Sequence, residues 1–286
     1  MKRSTIFLYI FASLLLYNLH LLAQEEKDEA PVYGWKNQVL GSLNLTQTNF
    51  DNWSAGGENS LSWQINLNAK FEKDEVNYNW TSLGKFQFGQ IKVGDQSNKK
   101  SVDEIMLETI FNYKPWGVID PYISLTGLTQ ITKGYDYSTD VKIAVSDFLD
   151  PGYFTQGIGF GYTPNDMIKT RIGAALRETI TSKYNQYADD PETAKVEKTK
   201  VEPGLESVTD FVYKIEEDLV FNSNLRLFSN FIQFKQIVVR WDNVLVAKIT
   251  NNVNVNFNFQ LFYDHIISSK RQIMQSLALG ISYSFL

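Results

Sequence analysis

Twelve consecutive residues, Asn252–Tyr263 (N-V-N-V-N-F-N-F-Q-L-F-Y), restrict the fold more than any other stretch of this chain. The odd positions Val253, Val255, Phe257, Phe259, Leu261 and Tyr263 are apolar, and the even positions Asn252, Asn254, Asn256, Asn258 and Gln260 are all amides. A β-strand turns successive side chains to opposite faces, so this segment carries one apolar face and one wet face. A helix, with its period of 3.6, would scatter both classes around its axis. The segment is therefore predicted to be a strand, and each face needs its own environment.

The same alternation recurs along the chain. It is legible in Val39–Thr46, Leu61–Phe71, Val76–Phe88, Glu104–Tyr113, Phe154–Tyr162 and Ile168–Arg177. It returns in Leu205–Ile215, Leu219–Leu227, Gln236–Lys248 and Ile273–Phe285. Tyr122–Thr132 reads as a further strand of ambiguous phase. These segments exceed the ~5–6 residues of an ordinary soluble strand and match the ~10 residues that cross a bilayer at a tilt. They number about twelve, an even count of the kind single-chain outer-membrane barrels have.

Connections supply a separate argument. One set is short: Lys73–Glu75, Pro115–Val118, Pro164–Asp166, Glu217–Asp218 and Ile249–Asn251. The alternate set is long and polar: Phe50–Glu58, Ile91–Lys100, Lys133–Asp150 and Thr181–Glu202. Short turns at one end and long loops at the other are the pattern of an up-and-down barrel in the outer membrane. The fold expected is all-β, an antiparallel transmembrane barrel of about twelve strands in meander order. Alternation alone also fits a soluble sandwich or lipocalin-like barrel, where one sheet face is apolar. Strand length, loop asymmetry and an aromatic final strand argue for the membrane. Trp35, Tyr78, Trp116, Tyr122 and Tyr263, near strand ends, are expected in the interfacial aromatic girdles.

The start of the chain reads as a targeting segment. Lys2 and Arg3 precede the apolar run Ile6–Leu16, and Leu21-Leu22-Ala23 offers a small residue for cleavage. The expected division is residues 1–23 as signal peptide, 24–34 as a charged periplasmic leader and 35–286 as the barrel. A membrane-anchoring helix is the alternative, but Asn18 and His20 interrupt the run, which is shorter than the ~20 residues a span needs.

Charge and composition exclude several classes. The net charge of −5 does not suggest a nucleic-acid binder. The absence of Cys removes disulfides, thiol chemistry and a lipid anchor on cysteine. After the signal, His265 is the single histidine; it lies beside Ser268 and Ser269, and no nucleophile elbow is present. No spacing of carboxylates marks a catalytic pair or a metal site. Gly157-Ile-Gly-Phe-Gly161 has no helix pattern after it and reads as space-making glycines on one strand face. No catalytic residue, cofactor or metal is expected.

The chemistry is expected on the wet faces. Strand parity directs Lys70, Lys85, Glu104, Glu108, Lys169, Arg171, Arg177, Asp210, Lys214, Arg226, Arg240, Asp242, Lys248 and Asp264 inward. Lys85, Glu108, Arg171, Arg177, Arg226, Arg240 and Asp242 are the candidate lumen residues. Both signs occur in comparable numbers, whereas a charge-selective pore favours one sign. A mixed set suggests ion pairs across a narrow lumen, leaving open a filled interior or a small polar channel. A second candidate is the outer-mouth loop, where Asn52, Trp53, Gly56, Gly57 and Asn59 could clasp a ligand or serve only the loop's own geometry.

That tract, Asn52-Trp-Ser-Ala-Gly-Gly-Glu-Asn-Ser60, preceded by Thr46-Gln-Thr-Asn-Phe50, carries a family resemblance. With Gly204-Leu-Glu-Ser-Val-Thr-Asp-Phe-Val-Tyr213, it resembles the outer-membrane barrels grouped as domain of unknown function 3078 in Bacteroidetes-type bacteria. The resemblance implies location and fold from about Gly34 onward, and no substrate. The ending Ile281-Ser-Tyr-Ser-Phe285-Leu286 is similar to the signal such barrels present to their assembly machinery. Expected partners are therefore outer-membrane lipid, that machinery and a small polar solute. The expected function is a narrow channel or transporter; a plugged structural or loop-binding barrel is the alternative.

Overall fold

The computed structural model describes residues 33–50, 58–137, 142–190, 192–232, 237–265, 268 and 270–286. The expected signal peptide and most of the leader, in residues 1–32, lie outside the described residues. Fourteen strands follow one another: β1 (Gly34–Thr48), β2 (Ser60–Asp74), β3 (Tyr78–Val93), β4 (Lys99–Tyr113), β5 (Ile119–Thr129), β6 (Gly134–Asp136) and β7 (Ile143–Ser146). After them come β8 (Gly152–Tyr162), β9 (Ile168–Ile180), β10 (Thr199–Glu216), β11 (Leu219–Asn230), β12 (Ile237–Lys248), β13 (Val253–Tyr263) and β14 (Gln272–Ser284). Twelve of them close into one antiparallel barrel in meander order; β6 and β7 form a separate hairpin inside the β5–β8 connection. β14 returns to β1 through Leu40↔Ser284 to Leu45↔Leu279, which closes the edge of the barrel sheet.

The barrel is inverted relative to a soluble protein. Leu107, Ile158, Ile172 and Leu277 are each at least 60% exposed on the outer face. Asn44, Glu108, Arg171 and Asp264 are buried inside. Two outward indoles place their donors on neighbouring strands: Trp80 Nε1 donates to Thr109 Oγ1 at 2.8 Å and Trp241 Nε1 to Ser223 Oγ at 2.9 Å. Each bond joins neighbouring strands on the apolar face and gives that indole N–H an acceptor where acyl chains offer none. The two-sheet sandwich left open by alternation is excluded by the closed ring.

Two expectations are corrected. Tyr122 does not stand in an aromatic girdle; it is 2% exposed inside the barrel, and its hydroxyl donates to Glu206 at 3.2 Å. On β5, Ile119, Ile123 and Leu125 take the outer face, so Tyr122, Ser124 and Thr126 turn inward. The loop expected at Ile91–Lys100 is only residues 94–98, because β3 and β4 run on to Val93 and from Lys99. Gly94, at φ +52°, makes the turn, and its N–H donates to the Asn59 carbonyl at 2.7 Å.

Two of the connections at that end are tied together in their described residues. Asp150 is the clamp between the β5–β8 and β9–β10 connections. Its carboxylate accepts backbone N–H groups of Ser182 and Lys183 at 2.8 Å and of Tyr184 at 3.3 Å. Burial pushes its pKa up, but these three donors outweigh burial and hold it below the ordinary 3.8. A depressed folded-state pKa adds stability above the unfolded value, and that stability is lost as pH falls through the folded value. Asp150→Asn is therefore expected to expose residues 142–150 and 181–198 to added protease at neutral pH. Wild type is expected to show the same exposure only in acid, below its depressed pKa. Equal cleavage of both proteins at neutral pH would refute the clamp.

Candidate functional site

The interior is divided by ion pairs that run from wall to wall. Glu108 on β4 accepts a two-pronged pair from Arg226 on β11, Nη1 to Oε1 at 3.1 Å and Nη2 to Oε2 at 2.7 Å. Arg171 on β9 reaches the same carboxylate through Nη2, and Thr126 Oγ1 donates to it at 3.2 Å. Two pleat repeats along β4, Glu104 takes Arg240 Nη2 from β12 at 2.7 Å and Lys85 Nζ from β3 at 3.1 Å. Arg240 Nε also donates to Asp242 at 2.9 Å, and Gln260 Nε2 donates to the same residue at 2.6 Å. β4 and β12 lie six places apart in a ring of twelve, so Glu104–Arg240 spans the barrel's diameter. Charges removed from bulk water persist only when paired, and each of these has a partner of opposite sign, while Glu104 Oε1 and Arg171 Nε make no hydrogen bond.

On one side of this wall lies an amide-lined cavity of about 540 Å³, between the faces of β12–β14 and β1–β3. It runs from Glu217, Asp218 and Asn251 at the short-turn end to Ser101 and Gln275 near the loop end. Its side chains bond to one another: Asn256 Nδ2 to Asn254 Oδ1 at 2.6 Å, Asn254 Nδ2 to Ser282 Oγ at 2.8 Å, Gln64 Nε2 to Asn66 Oδ1 at 2.5 Å. Gly280 lets the amides of Asn44, Asn254 and Asn256 converge, since a Cβ there would lie 2.6–2.8 Å from all three. On the other side is a cavity of about 140 Å³ with largely apolar walls.

Six of the seven candidate lumen residues meet in the structure. Lys85, Glu108, Arg171, Arg226, Arg240 and Asp242 form the wall. Arg177 stands apart, with Nη2 on Asp264 at 2.7 Å and Nε 3.7 Å from Glu202. Its guanidinium lies over the rings of Tyr153 and Phe228 at 5.7 and 5.6 Å. Of the mouth loop, Asn52, Trp53, Gly56 and Gly57 lie outside the described residues. Asn59 accepts the Phe50 N–H at 2.7 Å, a bond within its own loop. Glu202, Glu206, Tyr153 and Phe228 were not foreseen. Glu206 shares parity with Asp210, which is the signal that finds it; Glu202 falls in a stretch that reads as loop but is strand.

Among the described residues no three His, Asp or Glu side chains cluster to hold a metal. His265 Nδ1 lies 3.5 Å from the Tyr263 hydroxyl, and Ser269 falls outside the described residues.

No curated protein sequence matches the chain. Solved structures similar to it include the translocator domain of autotransporter NalP from Neisseria meningitidis, at 10% identity and TM-score 0.39, covering 98% of this chain and 96% of that one. The NanC porin aligns at 8% identity and TM-score 0.39, over 86% of this chain and 97% of that chain. An outer membrane channel from Pseudomonas putida F1 aligns at 10% identity and TM-score 0.39, over 91% and 98%. The sequence resemblance does find its counterpart: residues 45–135, from β1 into β6, match the family described as Protein of unknown function (DUF3078).

Proposed function

We propose that the barrel spans the outer membrane and is a narrow conduit for small polar solutes, with no catalytic role. One observation carries this reading: the amide-lined cavity reaches from the short-turn end to the neighbourhood of the loops along one side of the ion-pair wall. Asn and Gln offer donors and acceptors without net charge, so they can replace a solute's water without trapping ions. The charges facing the cavity, Lys85, Asp242 and Lys248 among them, are of both signs and supply no strong ionic filter. The apolar outer belt suits acyl chains, where every backbone group must be paired within the ring. The last strand, with Tyr283 and Phe285 outward at 60% exposure, is the segment we assign to the assembly machinery.

The ion-pair wall itself favours a second reading, a plugged barrel that binds through its loops. Planar-bilayer recording separates the two. Small, weakly ion-selective steps are expected from wild type, and a clearly smaller step from Asn256→Trp, which puts an indole among Asn44, Asn254 and Gly280. Conductance indistinguishable from a protein-free bilayer would leave the plugged barrel.

A further inference from the structure

We infer that the apolar compartment on the far side of the wall is a binding site for one small, uncharged aromatic molecule carrying a hydrogen-bond donor, a phenol in chemical class. Its walls include Met106, Leu128, Val208, Phe228, Val238 and Phe262. They converge on one small space, whereas the larger cavity mixes Leu40, Val244 and Val246 with many amides. The cavity measures about 140 Å³. An apolar cavity of about 150 Å³ stays dry and admits a benzene ring. The volume therefore suits a single six-membered ring and the wall chemistry suits its faces.

The polar groups on its lining define what else the ligand carries. Arg177, Arg226 and Arg240 border the cavity, and each is already held by carboxylates: Asp264, Glu108, and Glu104 with Asp242. An anionic ligand would have to displace one of those partners. A cationic ligand would enter beside three guanidinium groups. Glu206 differs from the other carboxylates of the compartment. It is buried and makes no ion pair among the described residues; the bonds it accepts, from Tyr122 OH at 3.2 Å and Ser124 Oγ at 3.4 Å, both go to Oε1. Oε2 keeps its acceptor capacity, and Glu206 lines the cavity. The chain also makes room for this carboxylate: a Cβ at Gly157 would lie 2.3 Å from Glu206 Oε1. A neutral ring with one O–H satisfies walls and acceptor together. A site built around a hydrogen bond discriminates against the analogue that lacks the donor.

This inference is independent of conduction, because the compartment can be filled whether or not the amide half conducts. The test is isothermal titration of the full protein in nanodiscs, with empty nanodiscs subtracted. Phenol is expected to bind saturably at one site per barrel, toluene roughly tenfold more weakly for want of the hydrogen bond to Glu206. Benzoate and benzylammonium are expected to give no saturable heat. Glu206→Gln should weaken phenol by roughly tenfold and leave toluene unchanged, which also shows that the variant is folded. Val208→Trp, or Met106→Trp if the first does not assemble, should abolish both. Absence of saturable phenol binding by wild type, toluene binding as tightly as phenol, tighter binding of either ion, or phenol binding that survives the filled cavity would each overturn the assignment.

Discussion

Glu108→Ala is expected to lower stability by on the order of 3–5 kcal/mol, the cost of leaving a buried charge without its partner. Glu108 is 3% exposed and is held by both Arg171 and Arg226. Its removal strands two guanidinium groups inside the barrel at once. The strands they belong to, β9 and β11, are joined to β4 across the lumen by this carboxylate. Urea unfolding in lipid, followed by the gel shift on heating, gives the measurement. A triple replacement, Glu108→Leu with Arg171→Met and Arg226→Met, should recover most of the loss, because no unpaired charge remains. A triple variant as unstable as the single one would show that the loss comes from packing around Glu108 and not from the stranded charges.

The second large effect tests which face meets lipid. Phe257 points outward on β13 at 41% exposure, opposite Leu245 and Leu277. Its neighbour Asn256 points inward, with Nδ2 on Asn254 Oδ1. Arg on a lipid face near mid-bilayer costs ~2–4 kcal/mol, since neither water nor a partner is within reach. Phe257→Arg is therefore expected to impair assembly or lower the unfolding midpoint, and Asn256→Arg to stay close to wild type. The two sites sit at nearly equal depth, so depth does not separate them. Greater damage from Asn256→Arg would invert the assignment of faces and remove the basis for a barrel in lipid.

The faces were legible because amides and aliphatics rarely share a strand parity by accident. In β13 every even position through Gln260 is an amide, and both the strand and its orientation follow. β5 resisted because its two parities are both mixed: Tyr122 and Leu128 lie in one, Ile123 and Leu125 in the other. Only the neighbours' hydrogen bonds decide between them. Ion partners were illegible for a different reason. Parity says that Glu104 and Arg240 face inward, but 136 residues separate them, and only ring closure brings them together. The apolar compartment left a trace that parity reading passes over. Met106, Val208, Phe228 and Phe262 are apolar residues in the wet phase of their strands and are walls of the small cavity; Val244 and Val246 on β12 are exceptions of the same kind that line the large one.

The Glu104–Arg240 pair also has a mechanical meaning. The circumference of a barrel is set by its strand number and stagger, but the outline of its cross-section is not. Like a thin hoop, the ring resists stretching along its hydrogen bonds and yields easily to flattening. A crossbar from β4 to β12 holds one diameter at a fixed length. With the perimeter constant, the perpendicular diameter is held too. Together with the Glu108 pairs to β9 and β11, this crossbar keeps the outline of the amide side from gaping or pinching.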